Sequence, residues 1–312
     1  MSAPTTASTS AAGPTGEQYS ISRGPYAATI TEVAAALREF TVDGVDLTEP
    51  YSASATPPSG DGIVLAPWPN RVRDGRWLLD GVVQQLDITE VDLNNALHGL
   101  LRYSPYRLLE RGEHYVVLGA GLFPQHGYPF RLETTVRYEL VDDGLEVTHT
   151  AHNLSQTDAP VAFGTHPFLT IGDVPTELLT FTLNATTHFE VDARLNPIGQ
   201  SPVDGTDFDL RAGRLVGELS LDDAFGGVQP IDGVSAILRA PDGREVRLKQ
   251  DENHGYVQVY TTRTFPKRGG PALAIAVEPM TAPPDGFNSG LGLRWVKPGE
   301  TWTVGWGIQY SS

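Results

Sequence analysis

The feature that most constrains the fold of this chain is the repetition of the dipeptide Asp-Gly. The pair occurs nine times, starting at Asp43, Asp61, Asp74, Asp80, Asp143, Asp204, Asp232, Asp242 and Asp285. Asp-Gly suits the tight turns of β-hairpins, because these turns need positive φ angles that most residues avoid. A chain with this many such turns is predicted to consist of antiparallel strands.

The segments beside these turns have strand character. Three Asp-Gly pairs separate two apolar-rich runs: 76–79 from 82–86, 132–140 from 145–150, and 234–239 from 245–249. Four further strands are expected at 115–118, 179–183, 256–261 and 301–309. In the last of these, Trp302, Val304, Trp306 and Ile308 recur with period two, which predicts one packed face.

One window, residues 32–40, has helical propensity because it contains three alanines and a leucine. Its neighbours on both sides have hairpin character, so a pair of strands is the better prediction. No internal repeat, heptad or linker divides the remaining chain. We therefore expect residues 19–312 to form a single domain, a large antiparallel β-sandwich.

Composition excludes several classes of protein. Residues 1–18 are mostly Ser, Thr, Ala, Pro and Gly, which predicts a disordered tail rather than a signal peptide, and no later segment is long enough to span a membrane. The chain has no cysteine, which excludes disulfides and thiolate chemistry and suits a reducing compartment. Its formal net charge of -16 argues against binding to nucleic acid or anionic membranes. We expect a cytoplasmic protein.

A short apolar run, residues 272–277, leads directly to Glu278-Pro279. The run has the length of a buried strand, and proline removes a ladder donor, so we expect Glu278 at a strand end, half out of the core. Residues 280–290 then form a loop rich in proline and glycine, of the kind that carries binding residues. Glu278 is either an ordinary carboxylate where a strand meets water or a functional group.

Four further loops contain polar groups that chemistry could use. They are 67–76 with Trp68, Asn70 and Arg71, 94–100 with His98, 163–169 with His166, and 221–225 with Asp222. A tryptophan face and a guanidinium that donates two hydrogen bonds suit a sugar ring. His166 is expected at a strand end, because the proline after it breaks the strand. His98 is equally compatible with a satisfied core histidine, and Asp222 with a surface carboxylate.

The sequence offers little support for metal or nucleotide chemistry. His98, His166 and Glu278 are scattered, and no His-x-His or His-x-x-x-His pair accompanies them. The Gly-x-Ser-x-Gly motif of many hydrolases is missing, as are phosphate-binding and dinucleotide-binding glycine motifs. We expect neither a metal nor a cofactor.

Taken together, the loops resemble the aldose 1-epimerase (mutarotase) family, in its bacterial branch with the motif Pro-Trp-Pro-Asn-Arg. The shared elements are Asn70-Arg71 with Gly75, His98-Gly99, Gly164-x-His166-Pro167-Phe168, Asp222-x-x-Phe225, Glu278-Pro279 and Lys297-Pro298-Gly299-Glu300. They follow the family's order and spacing from about Tyr19 to Gln309. The resemblance implies a galactose mutarotase-like sandwich that interconverts the α and β anomers of a free sugar without a cofactor.

The resemblance also implies a role for each residue. Glu278 would take the proton of the anomeric O1 hydroxyl, and His166 would give a proton to the ring oxygen O5. Burial would raise the pKa of Glu278 towards neutrality, and a carboxylate beside an imidazolium would support both charge states. Arg71, His98 and Asp222 would hold the sugar hydroxyls, and we add Trp68 and Asn70 of the Trp-Pro-Asn corner as substrate-binding residues.

Two departures from the better-known galactose mutarotases leave the sugar open. Pro167 follows His166 directly, and Asp223 stands where those enzymes often have histidine. We expect a neutral aldohexose, handled by a monomer or homodimer. The alternative is an anionic sugar, a hexose 6-phosphate or sulfoquinovose. The arginines that could bind its anionic group are Arg71, Arg73, Arg76 and Arg102.

Two readings from other classes remain. A noncatalytic carbohydrate-binding protein could share the sandwich, although it would not need both Glu278 and His166. A glycosidase could use Glu278 and Asp222 as its pair of carboxylates, which would leave the histidines without a role.

Overall fold

The computed structural model describes residues 13–312, and strands dominate it. The first strands are β1 (Gln18–Arg23), β2 (Tyr26–Thr31), β3 (Leu37–Val42), β4 (Val45–Asp46), β5 (Val64–Leu65), β6 (Arg71–Arg73), β7 (Arg76–Leu79), β8 (Val82–Gln85) and β9 (Asn95–Leu97). The next are β10 (Arg107–Arg111), β11 (Tyr115–Leu122), β12 (Leu132–Val141), β13 (Gly144–Asn153), β14 (Ala159–Val161), β15 (Gly164–Thr165), β16 (Phe168–Leu169), β17 (Thr180–Leu183) and β18 (Thr187–Val191).

The last strands are β19 (Pro197–Pro202), β20 (Arg214–Leu215), β21 (Asp222–Gly226), β22 (Val234–Arg239), β23 (Glu245–Gln250), β24 (Tyr256–Lys267), β25 (Gly270–Met280), β26 (Arg294–Val296) and β27 (Thr301–Ser311). Helical structure in the described residues is limited to the short helix α1 (Gly286–Ser289) and to 3-10 turns at Pro58–Gly60, Thr176–Leu178 and Val216–Glu218.

Two large antiparallel sheets form the body of the molecule. One has nine strands in the order β10-β11-β12-β13-β27-β23-β22-β17-β20. The other has eight, in the order β19-β18-β21-β24-β25-β15-β5, with β16 also paired to β25. A four-stranded sheet, β1-β2-β3-β4, and three two-stranded sheets complete the set. The prediction of a large antiparallel β-sandwich is confirmed.

The predicted hairpins are present. β7 and β8 flank Asp80-Gly81, β12 and β13 flank Asp143-Gly144, and β22 and β23 flank Asp242-Gly243. Asp80 and Gly81 have φ angles of 49° and 79°, as a tight hairpin turn requires. The window with helical propensity forms no helix. Residues 32–36 form the connection between β2 and β3 and residues 37–40 lie in β3, and the two strands pair as antiparallel strands.

The two large sheets share one hydrophobic core. On β27 the predicted face of Trp302, Val304, Trp306 and Ile308 is buried. These side chains belong to the same cluster as Val257 and Val259 of β24 and Ile275 and Val277 of β25. Alternate residues of β25 point to the opposite face of its sheet, where Ala274 and Ala276 form a separate cluster with Phe168. That opposite face carries Glu278.

The prediction for the end of this strand was wrong. β25 does not stop before Glu278-Pro279 but continues to Met280, and Glu278 is only 1% exposed rather than half out of the core. The neighbouring chain explains why proline is tolerated. Val277 and Thr281 donate backbone hydrogen bonds to Pro167 and Phe163, while the position between them faces the break between β15 and β16.

Two other boundaries differ from the prediction. Asp222 and Asp223 lie in strand β21 rather than in a loop. Residues 1–12 of the predicted tail lie outside the described residues, whereas residues 13–18 contact the rest of the chain and are not a free tail. Thr15 is buried, and its carbonyl accepts a hydrogen bond of 3.0 Å from the backbone of Val33. No helix within 13–312 has the length and apolar character needed to cross a membrane.

Candidate active site

A cavity of about 420 Å³ opens on the face of the eight-stranded sheet that is turned away from the shared core. Cross-strand register builds its floor: Gln258 lies opposite Glu278, and Asp222 lies opposite Tyr260. Six of the seven predicted site residues line the cavity, namely Asn70, Arg71, His98, His166, Asp222 and Glu278. Residues from distant parts of the chain thus meet at one place.

Glu278 and His166 are in direct contact inside the protein. Oε1 of Glu278 lies 3.3 Å from Nε2 of His166, and the two residues are 1% and 5% exposed. The second oxygen of Glu278, Oε2, has no hydrogen-bond partner among the described residues. A buried oxygen without a partner is costly, and a ligand hydroxyl would satisfy it.

Burial shifts both members of this pair towards their uncharged forms. Burial raises the pKa of Glu278 well above its usual value, the nearby charge of Asp222 adds to the effect, and Arg71 opposes it. Burial also lowers the pKa of His166 to about 4. In the sugar-free protein, burial therefore favours a proton on the carboxyl beside a neutral imidazole. Desolvation of both groups disfavours the carboxylate beside an imidazolium that the resemblance implies.

His98 presents a hydrogen-bond donor to the cavity. Its Nδ1 accepts a hydrogen bond of 3.2 Å from the backbone N–H of Asn70. Burial, together with the nearby His166 and two arginines, lowers its pKa well below 6.5, so the ring is neutral and Nε2 carries the proton. The next residue must be glycine. Gly99 has a φ of 74°, and a Cβ there would overlap the carbonyl oxygen of Ala66.

Arg71 is held from behind by a carboxylate. Its Nε lies 2.9 Å from Oε2 of Glu90 and its Nη2 lies 2.9 Å from Oε1, a bidentate pair. Its Nη2 is also 3.6 Å from Oδ2 of Asp222. Asp222 in turn accepts a hydrogen bond of 2.7 Å from the side chain of Gln258. Hydrogen-bond donors and acceptors of the kind that suit hydroxyl groups therefore surround the Glu278 and His166 pair.

This combination of fold and site has counterparts among known proteins. The family model for aldose 1-epimerase matches residues 17–309. The chain belongs to the aldose 1-epimerase family. It is 33% identical to the Escherichia coli (strain K12) protein YihR over 286 residues, which cover 91% of this chain and 90% of YihR. The predicted family and enzyme class, an isomerase of the mutarotase type, are confirmed.

Solved structures show the same fold at low sequence identity. An aldose epimerase homologue from C. elegans superimposes with a TM-score of 0.82 at 18% identity, covering 95% of this chain and 98% of that one. The galactose 1-epimerase from Lactobacillus acidophilus NCFM gives a TM-score of 0.76 at 20% identity, with 94% of each chain covered.

One of the predicted sugar-binding residues, Trp68, does not lie at the cavity. Trp68 is 4% exposed, belongs to the shared core and packs against Phe287 with ring centroids 5.3 Å apart. It does not line the cavity, so its apolar ring stabilises the fold. The aromatic side chains that line the cavity are Tyr103 and Tyr260.

The four arginines proposed for an anionic sugar separate into two groups. Arg71 and Arg102 line the cavity, and Arg102 stacks on the ring of Tyr103 at 4.7 Å. Arg73 instead pairs with Asp192 and Asp285, and Arg76 donates to the side chain of Gln85. The last two serve surface networks.

Sequence reasoning missed two polar residues of this site, Glu90 and Gln258. Glu90 lies in a stretch without any motif, and nothing local marks it as the partner of Arg71. Gln258 is the one polar side chain among the apolar and aromatic residues Tyr256–Tyr260 at the start of β24, a signal that the sequence does contain. Asp223, which differs from the galactose mutarotases, points to the other face of β21 and contacts His188 at 2.8 Å. That departure therefore lies outside the cavity.

Proposed function

We propose that this protein interconverts the α and β anomers of a free, uncharged aldohexose, with Glu278 as base and His166 as acid. The observation that carries the proposal is the contact between these two buried side chains at the floor of the cavity. An acid and a base in contact can exchange a proton, and together they can serve the two oxygens of a hemiacetal.

The reaction requires no net proton uptake. Glu278 takes the proton from O1 while His166 gives one to O5, so the bond between C1 and O5 breaks and an aldehyde forms at C1. Rotation about the C1–C2 bond exposes the other face of the aldehyde. Ring closure then reverses both transfers: O5 attacks C1, His166 recovers its proton, and Glu278 returns one to O1.

Sugar binding would prepare the charged form of the pair. The transfer needs a Glu278 carboxylate and a His166 imidazolium, which differ from the sugar-free state by one proton moved across 3.3 Å. A sugar hydroxyl that donates to the unpartnered Oε2 of Glu278 favours the carboxylate. The substrate therefore helps to create the base that acts on it.

The surrounding groups would hold the ring. Nε2–H of His98 and the guanidinium of Arg71 would donate to hydroxyls, and Asp222 would accept from them. Asn70 would act mainly through its backbone, which holds His98. No step calls for a metal or cofactor, so dialysis against a chelator is expected to leave the rate unchanged.

Polarimetry of freshly dissolved α-D-glucose and α-D-galactose tests the proposal. The protein should accelerate the approach to the equilibrium rotation of at least one of them. Release of reducing sugar from a glycoside would instead indicate a glycosidase. Sugar binding without any acceleration would indicate a noncatalytic binding protein.

Arg102 favours a second candidate substrate, an anionic hexose, because its guanidinium lines the cavity. NMR exchange rates for glucose, galactose, glucose 6-phosphate and sulfoquinovose at two salt concentrations separate the two cases. Preference for an anionic sugar that weakens with salt and is lost in Arg102→Ala would replace the neutral substrate.

A further inference from the structure

Glu90 lies directly behind Arg71, although no step of the proposed reaction uses it. It accepts three hydrogen bonds from Arg71: two from Nε, at 3.2 and 2.9 Å, and one from Nη2 at 2.9 Å. The side chains of Arg71 and Glu90 are 9% and 16% exposed. The pair is therefore shielded from most of the solvent.

The pair leaves one end of the guanidinium for a ligand. Arginine has five N–H donors in a rigid planar fork, and Glu90 occupies the Nε edge of that fork. Within residues 13–312, Nη1 of Arg71 has no hydrogen-bond partner, and Arg71 lines the cavity. Glu90 therefore determines which donors of Arg71 remain available to a sugar hydroxyl.

Glu90 is itself fixed in position. Its backbone exchanges two hydrogen bonds with Asn95, at 3.0 and 3.2 Å, and the side chain of Asn95 donates to Oε2 at 3.0 Å. Asn95 begins β9, the strand that ends just before His98 and pairs with β6, which starts at Arg71. Hydrogen bonds through Asn95 thus connect Glu90 to β9 and β6, the strands that place His98 and Arg71.

Glu90 also changes the charge that a ligand meets. The groups that line the cavity include two arginines and two carboxyls, and burial favours the uncharged form of one of these carboxyls, Glu278. Without Glu90, the remaining carboxylate of Asp222 would leave the arginines in excess. The carboxylate of Glu90, at hydrogen-bonding distance, cancels the charge of Arg71. An anionic ligand therefore gains little affinity from Arg71 and has little advantage over a neutral ligand.

We propose that Glu90 is a positioning and specificity-determining residue, which orients Arg71 towards the hydroxyls of the sugar and makes the cavity prefer an uncharged substrate. This inference rests on the proposed function, because it assigns a substrate class to the same site. Glu90 then has two effects, the orientation of Arg71 and the preference for an uncharged substrate, and two different substitutions should affect them differently.

Two variants and a control make that separation. Glu90→Asp keeps the charge but is one methylene shorter, so the bidentate contact is lost. Glu90→Gln keeps the length but removes the charge. Glu110→Gln on the exposed strand β10 changes the net charge equally and lies outside the cavity. Melting temperatures establish that each variant folds. Calorimetry gives affinities for glucose and glucose 6-phosphate, and NMR exchange gives KM and kcat.

We expect both Glu90 variants to weaken glucose binding and raise its KM by about three- to tenfold, since Arg71 must now be ordered by the sugar, with a smaller change in kcat. In Glu90→Gln alone, the affinity for glucose 6-phosphate relative to glucose should rise by about tenfold at low salt, because the charge of Arg71 is no longer cancelled. The control should match the wild-type protein in both respects.

Four results would overturn the inference. The first two concern affinity: the glucose affinity is unchanged in both variants, or the affinity for glucose 6-phosphate relative to glucose rises as much in Glu90→Asp as in Glu90→Gln. The other two are a reduced kcat with an unchanged KM and failure of Glu90→Gln to fold. The affinities do not depend on turnover. A wild-type protein that binds glucose but anomerises no sugar would therefore refute the proposed function, while the affinities of the variants would still decide the role of Glu90.

Discussion

Two histidine–carboxylate pairs involve the eight-stranded sheet, and only one of them faces the cavity. His188 contacts Asp223 at 2.8 Å, and the other oxygen of Asp223 accepts a hydrogen bond of 3.0 Å from the backbone of Asp222. The ring of His188 stacks on Phe208 with centroids 3.6 Å apart. In the cavity, by contrast, His166 and Glu278 are 3.3 Å apart, and one oxygen of Glu278 has no partner among residues 13–312.

The difference indicates what each pair does. The carboxylate of Asp223 is satisfied by the protein, so its pair stabilises the strand arrangement. Glu278 keeps an unsatisfied oxygen in a cavity and bears a strongly raised pKa, features that are typical of functional groups. Residue types alone do not separate these pairs, whereas their remaining hydrogen-bonding capacity does.

The largest effect is expected at Glu278. Glu278→Gln should fold and lose anomerase activity by a factor on the order of 10⁴, because an amide keeps the shape but cannot accept the O1 proton. Asp223→Asn, the matched change in the other pair, should retain activity within about tenfold, since its pair does not touch the sugar. Polarimetry compares the two. If Glu278→Gln keeps most of its activity, Glu278 is not the base.

His166→Asn should reduce kcat by a factor on the order of 10³, somewhat less than the change at Glu278, because water in the open cavity can partly replace an acid. Sugar affinity, measured by calorimetry, should change much less. His188→Asn serves as the control. It should lower the melting temperature and leave kcat nearly unchanged. Equal losses of affinity and kcat in His166→Asn would reduce His166 to a hydroxyl contact.

The pH profile of kcat/KM should be bell-shaped, because the active form holds one proton on the His166 and Glu278 pair. A second proton binds on the acidic side, where burial has lowered the pKa of His166 to about 4. The single proton is lost on the basic side, above the usual pKa of a glutamate, because burial raises the pKa of Glu278. A basic limb at or below pH 4.5 would contradict this assignment.

The smallest effect concerns stability, and its sign differs between the pairs. The raised pKa means that folded Glu278 binds its proton more tightly than the unfolded chain, so wild-type stability falls as pH rises above the unfolded value of 4.5. Glu278→Gln should therefore gain stability relative to the wild type, and the gain should grow from pH 4 to pH 8. Asp223→Asn should instead lose about 1–3 kcal/mol, because it disturbs satisfied hydrogen bonds. Denaturant unfolding at both pH values measures this, and a Glu278→Gln gain that does not depend on pH would count against a raised pKa.

The sequence determined the strands and most of the site. Asp-Gly turns and period-two alternation are local signals, so the hairpin at Asp80-Gly81 and the buried face of β27 could be predicted from short stretches. The order and spacing of the motifs brought together six residues that do line one cavity. The hairpins and the alternating face depend on neighbours in the chain, which a sequence displays directly, whereas the six site residues were grouped by their resemblance to a family.

Only the tertiary structure decided the environment of those residues. The segment with Gly164 and Phe168 pairs with β25 and places His166 against the buried Glu278, and Trp68 is in the core, where it packs on Phe287. Gln258 meets Asp222 through cross-strand register, and Glu90 reaches Arg71 through the pairing of β6 with β9. Burial and hydrogen-bond partners arise from contacts between distant segments, and these set the pKa values and charges on which the chemistry depends.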